Sequence, residues 1–547
     1  MSAVELLRAE LTRAARGLGA TDPIETVLDR PRDPAFGDWT TNLAMVLAKP
    51  LGMKPRDLAR ALIAQGDWTR AGVRIAEVAG PGFINFRLET AAVAGRIPEI
   101  LQAGAAYGRS ETGKRTAVVV EFVSANPTGP LHVGHGRQAA LGDAVAALLE
   151  WTGWAVSREF YYNDAGVQIE KLAASVHARI VEDAGGGLQI PDGGYHGEYI
   201  GEIAEQYTAG HPGDRHGRDT DRVREFAVAA LRAEQDQDLK AFGVRFDTYY
   251  LESSLYTDGL VDETVQALRD GGDTYENDGA LWLRTTAFGD DKDRVMRKSD
   301  GTFTYFVPDI AYHVTKWRRG FRRAINVQGS DHHSTVTRVR AGLQALRIGI
   351  PEGYPEYVLH QLVTVVRGGE DVKLSKRAGS YVTVRDLIDD VGRDAVRYFF
   401  LMRRADSQLS FDVDLARTQS EENPVYYVQM AHARMSGIFR VGGIDAAGIT
   451  GEGVAIDLLS EADELELINA LADFPAAVQA AADALEPHRM TTYLHDTAEL
   501  AHRWYHRHHV LGEAPALTAA RLTLARAAQI VLGNGLTLLG ISAPERM

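Results

Sequence analysis

The chain has 547 residues, of which 59 are Lys or Arg and 74 are Asp or Glu, so its formal net charge is −15. A chain of this length exceeds what one hydrophobic core supports and predicts about three or four domains. With 45% hydrophobic residues and no cysteine, the composition predicts a cytoplasmic globular protein and excludes disulfides, thiolate metal sites and cysteine nucleophiles. No apolar run approaches the roughly 20 residues that cross a bilayer, so no membrane partner is expected.

The acidic charge disfavours a nucleic-acid partner without excluding one. Dedicated nucleic-acid binders are mostly basic. Charges are screened over about 8 Å at physiological salt, however, so an acidic protein of this size can still carry a local basic groove.

The first 112 residues are predicted to form a separate α+β domain. Its first helix carries apolar residues every three or four positions, among them Leu7, Leu11 and Ala15. A strand-like run at 82–86 closes the domain, and the polar stretch 108–114 is typical of a linker.

Residues 113–411 are predicted to form a doubly wound parallel α/β domain, Rossmann-like in class. The β-branched run 117–123 suits a strand that is buried on both faces. A Pro/Gly loop follows it, and then a helical stretch from about 136 to 151. Strand, loop and helix in this order open a nucleotide-binding fold, and the ligand is expected at the loop.

Two further strands of this sheet are predicted at 324–328 and 357–366. The segment from about 168 to 300 interrupts the alternation of strands and helices, so we interpret it as an insertion between two halves of the sheet. Residues 412–547 lack a strand pattern and are predicted to be an α-helical bundle. Its helical periodicity covers 424–440, 459–485, 490–512 and 516–540.

The strongest chemical signal is the H-x-G-H pattern of His132, Gly134 and His135, between the first strand and its helix. Gly134 leaves room for an adenine ring against the backbone, and histidines three apart at a helix start can face one phosphate-sized space. The helix N-terminus adds a favourable anion site. A loop with two surface histidines is the alternative, and the strand–loop–helix setting favours nucleotide binding over it.

A second signal is the lysine motif at 373–377, with Lys373, Ser375 and Lys376 ahead of a small Ala-Gly-Ser run. Two lysines three apart on such a loop can close over a triphosphate and stabilise the charge that develops on the departing pyrophosphate. Alone, the motif is more typical of a solvated basic loop. After an H-x-G-H pattern in a parallel sheet, it completes the motif pair of class I aminoacyl-tRNA synthetases.

Polar residues at the end of the first strand predict a second substrate site. Glu121, Ser124 and Asn126 place a carboxylate beside two hydrogen-bonding groups, which suits an ammonium or guanidinium group. A carboxylate paired with a structural arginine is the alternative.

Tyr305 and Asp309 are four residues apart and can place an aromatic wall and an acid in one pocket if a helix begins near Pro308. Taken alone, Asp309 is as typical of a helix start. Gln328 and the Asp-His-His triplet at 331–333 follow a strand-like run. An Asp-His-His triplet on its own is not expected to bring its three side chains to one metal ion, so no metal site is predicted.

A basic and aromatic run at 502–509 carries Trp504 and Tyr505 among arginines and histidines. On a helix such residues can stack on RNA bases and neutralise phosphates. A partly buried aromatic residue with a solvated face is an equal alternative.

Longer segments resemble the arginyl-tRNA synthetases, a family of class I enzymes. The similar segments are 121–135, 161–166, 304–313, 329–333, 423–434 and 543–547. The resemblance implies that arginine and ATP give arginyl-adenylate and pyrophosphate, and that the arginyl group then passes to the 3′ end of tRNA(Arg). It also implies that Mg²⁺ accompanies ATP, held largely by phosphates and water.

The resemblance assigns roles to the motif residues. ATP is expected at Pro130, His132, Gly134, His135, Gly136, Ser375 and Lys376, with His132, His135, Lys373 and Lys376 catalytic. L-arginine is expected at Glu121, Ser124, Asn126, Tyr305, Asp309 and Gln328. A guanidinium held by carboxylates in a bidentate manner rejects lysine, whose point charge cannot reproduce the fork.

The resemblance also implies where tRNA binds. The N-terminal domain is expected to contact the tRNA elbow through Phe83 and Asn85, and the C-terminal domain the anticodon region through Tyr426, Trp504 and Tyr505. The enzyme is expected to be monomeric.

Three alternatives remain. A small H-x-G-H nucleotidyltransferase has a much shorter chain and no need of a helical bundle. A non-catalytic tRNA-binding relative is disfavoured because both histidines and both lysines are intact. A neighbouring class I synthetase is distinguished by comparing amino acids in a charging assay.

Overall fold

The structure is a computed structural model, which describes residues 3–21, 23–24, 26–31, 36–164, 166–372 and 381–547. In this part of the chain the helices are α1 (Ala3–Gly17), α2 (Leu43–Leu47), α3 (Pro55–Gln65), α4 (Thr90–Ala94), α5 (Ile97–Ala103), α6 (Val133–Trp151), α7 (Val167–Asp183), α8 (Glu198–Gly210), α9 (Thr220–Ala241), α10 (Glu252–Thr257), α11 (Leu260–Asp270), α12 (Phe306–Arg318), α13 (His333–Ala345), α14 (Val384–Val391), α15 (Arg393–Leu401), α16 (Val413–Arg417), α17 (Pro424–Gly442), α18 (Ala462–Ala472), α19 (Phe474–Ala484), α20 (His488–Arg507) and α21 (Pro515–Leu538). The strands are β1 (Trp39–Thr41), β2 (Val73–Ala79), β3 (Phe83–Leu88), β4 (Ala117–Glu121), β5 (Ala155–Tyr162), β6 (Thr248–Leu251), β7 (Thr274–Asn277), β8 (Ala280–Leu283), β9 (Arg294–Arg297), β10 (Arg323–Gly329), β11 (Glu356–His360), β12 (Val363–Arg367), β13 (Glu370–Asp371) and β14 (Leu409–Asp412).

A five-stranded sheet in the order β11-β10-β4-β5-β6 forms the centre of the predicted α/β domain and confirms the predicted doubly wound class. Each neighbouring pair in it is parallel. The chain builds β4, β5 and β6 outward on one side and then crosses to β10 and β11 on the other. The topological switch therefore lies between β4 and β10, where a substrate crevice is expected at the carboxyl ends of the strands.

Strand β4 is apolar up to its last residue, Glu121, and is buried on both faces. Val118, Val119 and Val120 are all 0% exposed. Side chains alternate across a strand, so Val118 and Val120 join one hydrophobic cluster and Val119 joins the other. A parallel strand covered on both sides therefore has a continuous hydrophobic run.

The segment predicted as an insertion is not separate from the sheet along its whole length. Helices α7 to α9 lie outside the sheet, but β6, which follows them, pairs with β5 in parallel and belongs to the sheet. Strands β7 to β9 then form a small antiparallel sheet of their own. The predicted strand 357–366 is likewise two strands, β11 and β12, in different sheets, because a β-branched run does not itself reveal where the chain turns from one sheet to another.

Helices α17 to α21 form the predicted C-terminal bundle. The predicted helix 459–485 is divided into α18 and α19. Pro475 lies in the first turn of α19, where its missing N–H is tolerated, whereas a continuous helix would need that donor. No helix in the described ranges is both long and apolar enough to cross a membrane.

The N-terminal domain, with its antiparallel sheet β1-β3-β2, packs against the bundle. Arg30 forms an ion pair with Asp473 (2.7 Å). The amide of Asn534 donates to the carbonyls of Gly104 (2.9 Å) and Tyr107 (3.1 Å), just before the linker. The two domains that are predicted to contact tRNA are thus directly joined.

Candidate active site

The H-x-G-H histidines cap the N-terminus of α6. The Nδ1 of His132 accepts a hydrogen bond from the His135 backbone N–H (3.2 Å), and the Nδ1 of His135 accepts one from the His132 backbone N–H (3.4 Å). The two rings stack with their centroids 3.6 Å apart. This reciprocal capping satisfies backbone donors that the start of a helix otherwise leaves without partners.

The capping geometry assigns the tautomer of both rings. An Nδ1 that accepts a hydrogen bond carries no proton, so the N–H of each neutral ring lies on Nε2. Burial lowers the pKa of His132, and burial together with the adjacent His132 ring lowers the pKa of His135 further. Both rings are therefore neutral at pH 7 and offer N–H donors, beside a helix N-terminus, to an anion.

Glycine at 134 leaves space for the His132 ring. A Cβ at Gly134 would lie 2.8 Å from Cε1 of His132, so a side chain there would displace the ring. Gly136 is buried, and a Cβ there would lie 2.8 Å from Val384 and 2.9 Å from Phe400. The structure thus gives Gly136 a packing role and leaves little surface for its predicted ATP contact.

Two tyrosine hydroxyls hold the Pro/Gly loop before the histidines through hydrogen bonds to its carbonyl groups. The hydroxyl of Tyr199, from the insertion, donates to the Thr128 carbonyl (2.9 Å), and the hydroxyl of Tyr381 donates to the Pro130 carbonyl (3.0 Å). The Tyr381 ring also lies edge-on to His132, with centroids 5.7 Å apart. Residues distant in sequence therefore shape the loop where ATP is predicted to bind.

The lysine motif, with Lys373, Ser375 and Lys376, lies outside the described residues. The chain that follows it is hydrogen-bonded to the histidine motif, from the Val133 N–H to the Val382 carbonyl (3.1 Å). The segment that follows the lysine motif along the chain therefore lies beside the H-x-G-H histidines.

A cavity of about 460 Å³ opens next to the histidines, at the switch point between β4 and β10. The six residues predicted for the arginine pocket all line it: Glu121, Ser124, Asn126, Tyr305, Asp309 and Gln328. His135 lines it as well, so the two predicted substrate sites adjoin.

The chain turns sharply where β4 ends. Val123 and Ser124 have φ values of 68° and 43°, a left-handed region that costs a non-glycine residue about 1–3 kcal/mol. The turn folds Ser124 back, so that its Oγ donates to Glu121 Oε1 (3.0 Å) and accepts from the Tyr161 N–H (3.2 Å). Backbone strain of this kind at a strand end is typical of a ligand site.

Glu121 already has a cation as a partner. Its Oε2 accepts from Nζ of Lys316 (2.5 Å), a residue that is 0% exposed. Lys316 also donates to Oδ1 of Asn326 (3.1 Å). The alternative interpretation was a carboxylate paired with a structural arginine; the partner in the structure is a lysine instead, and Glu121 still lines the cavity.

Helix α12 begins at Phe306 rather than at Pro308, and Pro308 occupies its first turn, where proline is tolerated. Asp309 follows in the same turn. Tyr305 is 67% exposed and lines the cavity as the residue before the helix. The helix start therefore places the predicted aromatic residue and acid in one cavity, one turn apart.

Asp309 lies among other charged groups of the cavity. Burial raises the pKa of Asp309 to about 7; Arg338 opposes the rise, and the carboxylates of Glu252 and Glu121 add to it. The carboxyl group therefore takes up a proton much closer to neutral pH than an ordinary aspartate does.

Glu252, Arg338 and His313 are among the cavity residues that the sequence predictions did not include. Glu252, directly after β6, accepts from the Tyr161 hydroxyl (3.0 Å), and burial raises its pKa. Nε of Arg338 and Nδ1 of His313 are buried without a hydrogen-bond partner among the described residues, as is Oε1 of Gln328. Unpaired buried polar atoms that line a cavity are suited to a polar ligand.

Three family models match the chain. They are "Arginyl tRNA synthetase N terminal domain" over residues 4–88, "tRNA synthetases class I (R), catalytic domain" over 96–406 and "DALR anticodon binding domain" over 428–547. The arginine–tRNA ligase of Geobacter metallireducens is 54% identical over 534 residues, which cover 95% of each chain. That of Geotalea daltonii is 53% identical over 560 residues, which cover 99% of this chain and 100% of the relative.

The chain belongs to the arginyl-tRNA synthetases. The solved arginyl-tRNA synthetase of Thermus thermophilus has the same fold, with a TM-score of 0.77 over 99% of this chain and 100% of that one, at 24% sequence identity.

The residues predicted to contact tRNA in this synthetase differ in exposure. Trp504 is 0% exposed, and a ring without exposed surface cannot stack on a base, so its predicted RNA contact is wrong. Tyr505 is 40% exposed and lines a cavity of about 530 Å³ with Arg434 and Met547. Tyr426 is half-buried and lines a second cavity, which shares Met547.

The N-terminal residues predicted to contact tRNA lie on β3. Phe83 and Asn85 alternate with Ile84 and Phe86, which are both 0% exposed, so the first two share the face away from the domain core. Phe83 is half-buried, whereas Asn85 is 5% exposed and offers little surface.

Proposed function

We propose that this synthetase carries out the arginine–tRNA ligase reaction with the 460 Å³ cavity as its arginine site. The observation that carries the proposal is the meeting of three carboxylates, Glu121, Glu252 and Asp309, in a cavity that adjoins the capped start of α6. Carboxylates gathered in a buried space need a cation, and the guanidinium of arginine provides one.

Asp309 and Glu252 receive the guanidinium. Glu121 is neutralised by Lys316, and Arg338 lies in the same cavity. When Asp309 and Glu252 are both ionised, three carboxylates and two cations leave one negative charge in excess, which a guanidinium neutralises. A planar fork can bond the carboxylates of Asp309 and Glu252 at once, whereas the ammonium of lysine has no such geometry.

Ser124 and Asn126 orient the amino-acid head group. They lie between Glu121 and the histidine motif along the chain, and both line the cavity. With the guanidinium at Asp309, the carboxylate of the substrate is directed towards the histidine motif. Holding the reactants in this way supplies much of the rate enhancement of a two-substrate reaction.

ATP binds along the start of α6. The Nε2–H groups of His132 and His135 donate to its phosphates, and Lys373 and Lys376 stabilise the charge on the departing pyrophosphate. An oxygen of the arginine carboxylate attacks the α-phosphorus, and the bond to pyrophosphate breaks. A ribose hydroxyl of the 3′-terminal adenosine of tRNA then attacks the adenylate carbonyl and releases AMP. The histidines supply nitrogen donors, which do not suit Mg²⁺, so the Mg²⁺ that accompanies ATP would be held by phosphate oxygens and water and would offset the charge of the phosphates.

The C-terminal bundle binds the anticodon region of tRNA(Arg) through the two cavities that share Met547. Tyr505 and Tyr426 provide stacking surfaces, and Arg434 provides charge. Phe83 on the outer face of β3 contacts the elbow of tRNA. The enzyme acts as a monomer in the cytoplasm, and its lack of cysteine supports a reducing compartment.

The direct test of the reaction is aminoacylation of total tRNA with each labelled amino acid in turn, with and without ATP. ATP-dependent charging with arginine alone is expected. Charging with a different amino acid would contradict the substrate assignment, and folded protein that charges nothing would favour the non-catalytic alternative.

Arginine affinity should depend on pH through Asp309. The pKa of Asp309 is raised to about 7 in the free protein, and a bound guanidinium favours the ionised form, so binding must expel a proton at low pH. The arginine KM should therefore rise about tenfold from pH 8 to pH 6. Pyrophosphate exchange with tRNA present measures it, and a flat profile would exclude Asp309 as the guanidinium partner.

Tyr505→Ala should raise the KM for tRNA about tenfold, because stacking of a base on an aromatic ring is worth roughly 1–3 kcal/mol. The arginine KM of the same variant, measured at saturating tRNA, is the internal control and should not change. An unchanged KM for tRNA would remove Tyr505 from the interface.

A further inference from the structure

Helix α12 and the residue after it give one cation to each of two buried carboxylates of the central sheet. Glu121 in β4 and Glu159 in β5 are register partners in the parallel ladder. Lys316 pairs with Glu121 (2.5 Å), and Arg319 pairs with Glu159 (2.5 Å). Two ion pairs of the same length thus lie side by side.

The two pairs differ in their relation to the cavity. Glu121 lines it, whereas Glu159 is 0% exposed and is not part of the lining. Glu159 also accepts from the Tyr312 hydroxyl (2.6 Å), and both oxygens of each carboxylate have partners within the protein, so it is the lining of the cavity that distinguishes the two pairs. The Glu159–Arg319 pair therefore serves the packing of α12 on the sheet, whereas Glu121 faces a ligand site.

Lys316 holds two cavity groups at once. Its Nζ donates to Oε2 of Glu121 and to Oδ1 of Asn326 (3.1 Å), and it lies 4.3 Å from the centre of the Tyr312 ring. Lys316 itself is fully buried, so water does not compete for these bonds. Because Lys316 occupies Oε2, the other oxygen of Glu121 is the one bonded to Ser124 at the strand end.

We propose that Lys316 is a positioning residue of the arginine site, which holds the Glu121 carboxylate and the Asn326 amide in the orientation that receives the substrate. This inference rests on the proposed assignment of Glu121 to the arginine pocket. Lys316 touches neither substrate. Its neutralisation of Glu121 also leaves Asp309 and Glu252 to match the charge of the guanidinium.

The test compares Lys316→Gln with Arg319→Gln in pyrophosphate exchange with tRNA present. Both variants remove one cation from a buried carboxylate, so both should lower Tm. Lys316→Gln should raise the arginine KM at least about tenfold and change kcat less, because Glu121 contacts arginine before and during the reaction. The ATP KM of Lys316→Gln, and the arginine KM of Arg319→Gln, should stay within about twofold of the parent values.

If Lys316→Gln does not fold, two conservative variants, Lys316→Arg and Arg319→Lys, test the positioning role instead. Lys316→Arg keeps the charge, but its planar head shifts the partner oxygen, so the arginine KM should rise about threefold, whereas Arg319→Lys should leave it unchanged. Equal changes of arginine KM at the two positions, or none at either, would overturn the positioning role. Asp309→Asn in the same assay tests the pocket separately: if it raises the arginine KM and the Lys316 variants do not, only the role of Lys316 fails.

Discussion

Replacing Asp309 with Asn should lower kcat/KM for arginine by about a thousandfold, because removing one partner of a buried, hydrogen-bonded charge pair costs roughly 2–5 kcal/mol. Asn has the same shape as Asp, so the cavity keeps its volume and only the charge is lost. The rise of the arginine KM between pH 8 and pH 6 should also become smaller, because residue 309 no longer titrates. Pyrophosphate exchange over a range of arginine concentrations measures both effects.

The matched control for Asp309→Asn is Glu263→Gln. Glu263 forms an exposed ion pair with Arg318 at the far end of the same helix, α12 (2.6 Å). An exposed pair of this kind contributes about 0–1 kcal/mol to stability, so this variant should retain the parent kinetics. An Asp309→Asn enzyme with the parent arginine KM and kcat would remove Asp309 from the pocket.

Replacing His132 with Ala should slow arginyl-adenylate formation by about 100–1,000-fold, because a preorganised donor to the reacting phosphates is lost. It should also destabilise the fold by about 1 kcal/mol, since the acceptor for the His135 N–H disappears with the ring. The exchange rate and the free energy of unfolding are the two measurements.

His132→Asn separates the two roles of the ring. Asparagine is a good N-cap residue, so this variant should recover most of the stability that His132→Ala loses. It lacks the imidazole, however, and the exchange rate should stay low. Recovery of the rate together with the stability would mean that His132 acts by capping α6 alone.

The histidine motif could be predicted from sequence because its geometry is local. The capping bonds join residues that are three apart at the start of one helix. That one cavity gathers the residues proposed to bind arginine could also be predicted, although they come from distant segments. Glu121 and Gln328 both lie at the carboxyl ends of parallel strands, which meet at one edge of the sheet.

Glu252 obeys the same strand-end rule but could not be found by it. It follows β6 directly, and β6 has only four residues, none of them fully buried. A strand this short has no clear hydrophobic pattern, so the sequence does not distinguish it from the insertion that is predicted around it. The Lys316–Glu121 pair is harder still, because it joins residues 195 positions apart and no local pattern indicates which buried lysine meets which acid.

The error at Trp504 has a different cause. The buried positions of α20 include Leu494, Ala498, Ala501 and Trp504, spaced three or four residues apart. That period places Trp504 on the apolar face and Tyr505 beside it, towards solvent. The basic and aromatic composition of the run suggested RNA binding for both residues, whereas the helical period would have separated them.

A crystal structure of the enzyme with arginine bound tests the central claim most directly. The guanidinium should lie in the 460 Å³ cavity, within hydrogen-bond distance of both Asp309 and Glu252, with the substrate carboxylate towards His135. Arginine bound in the reverse orientation, with its α-ammonium at Asp309, or bound outside this cavity, would contradict the assignment of the site.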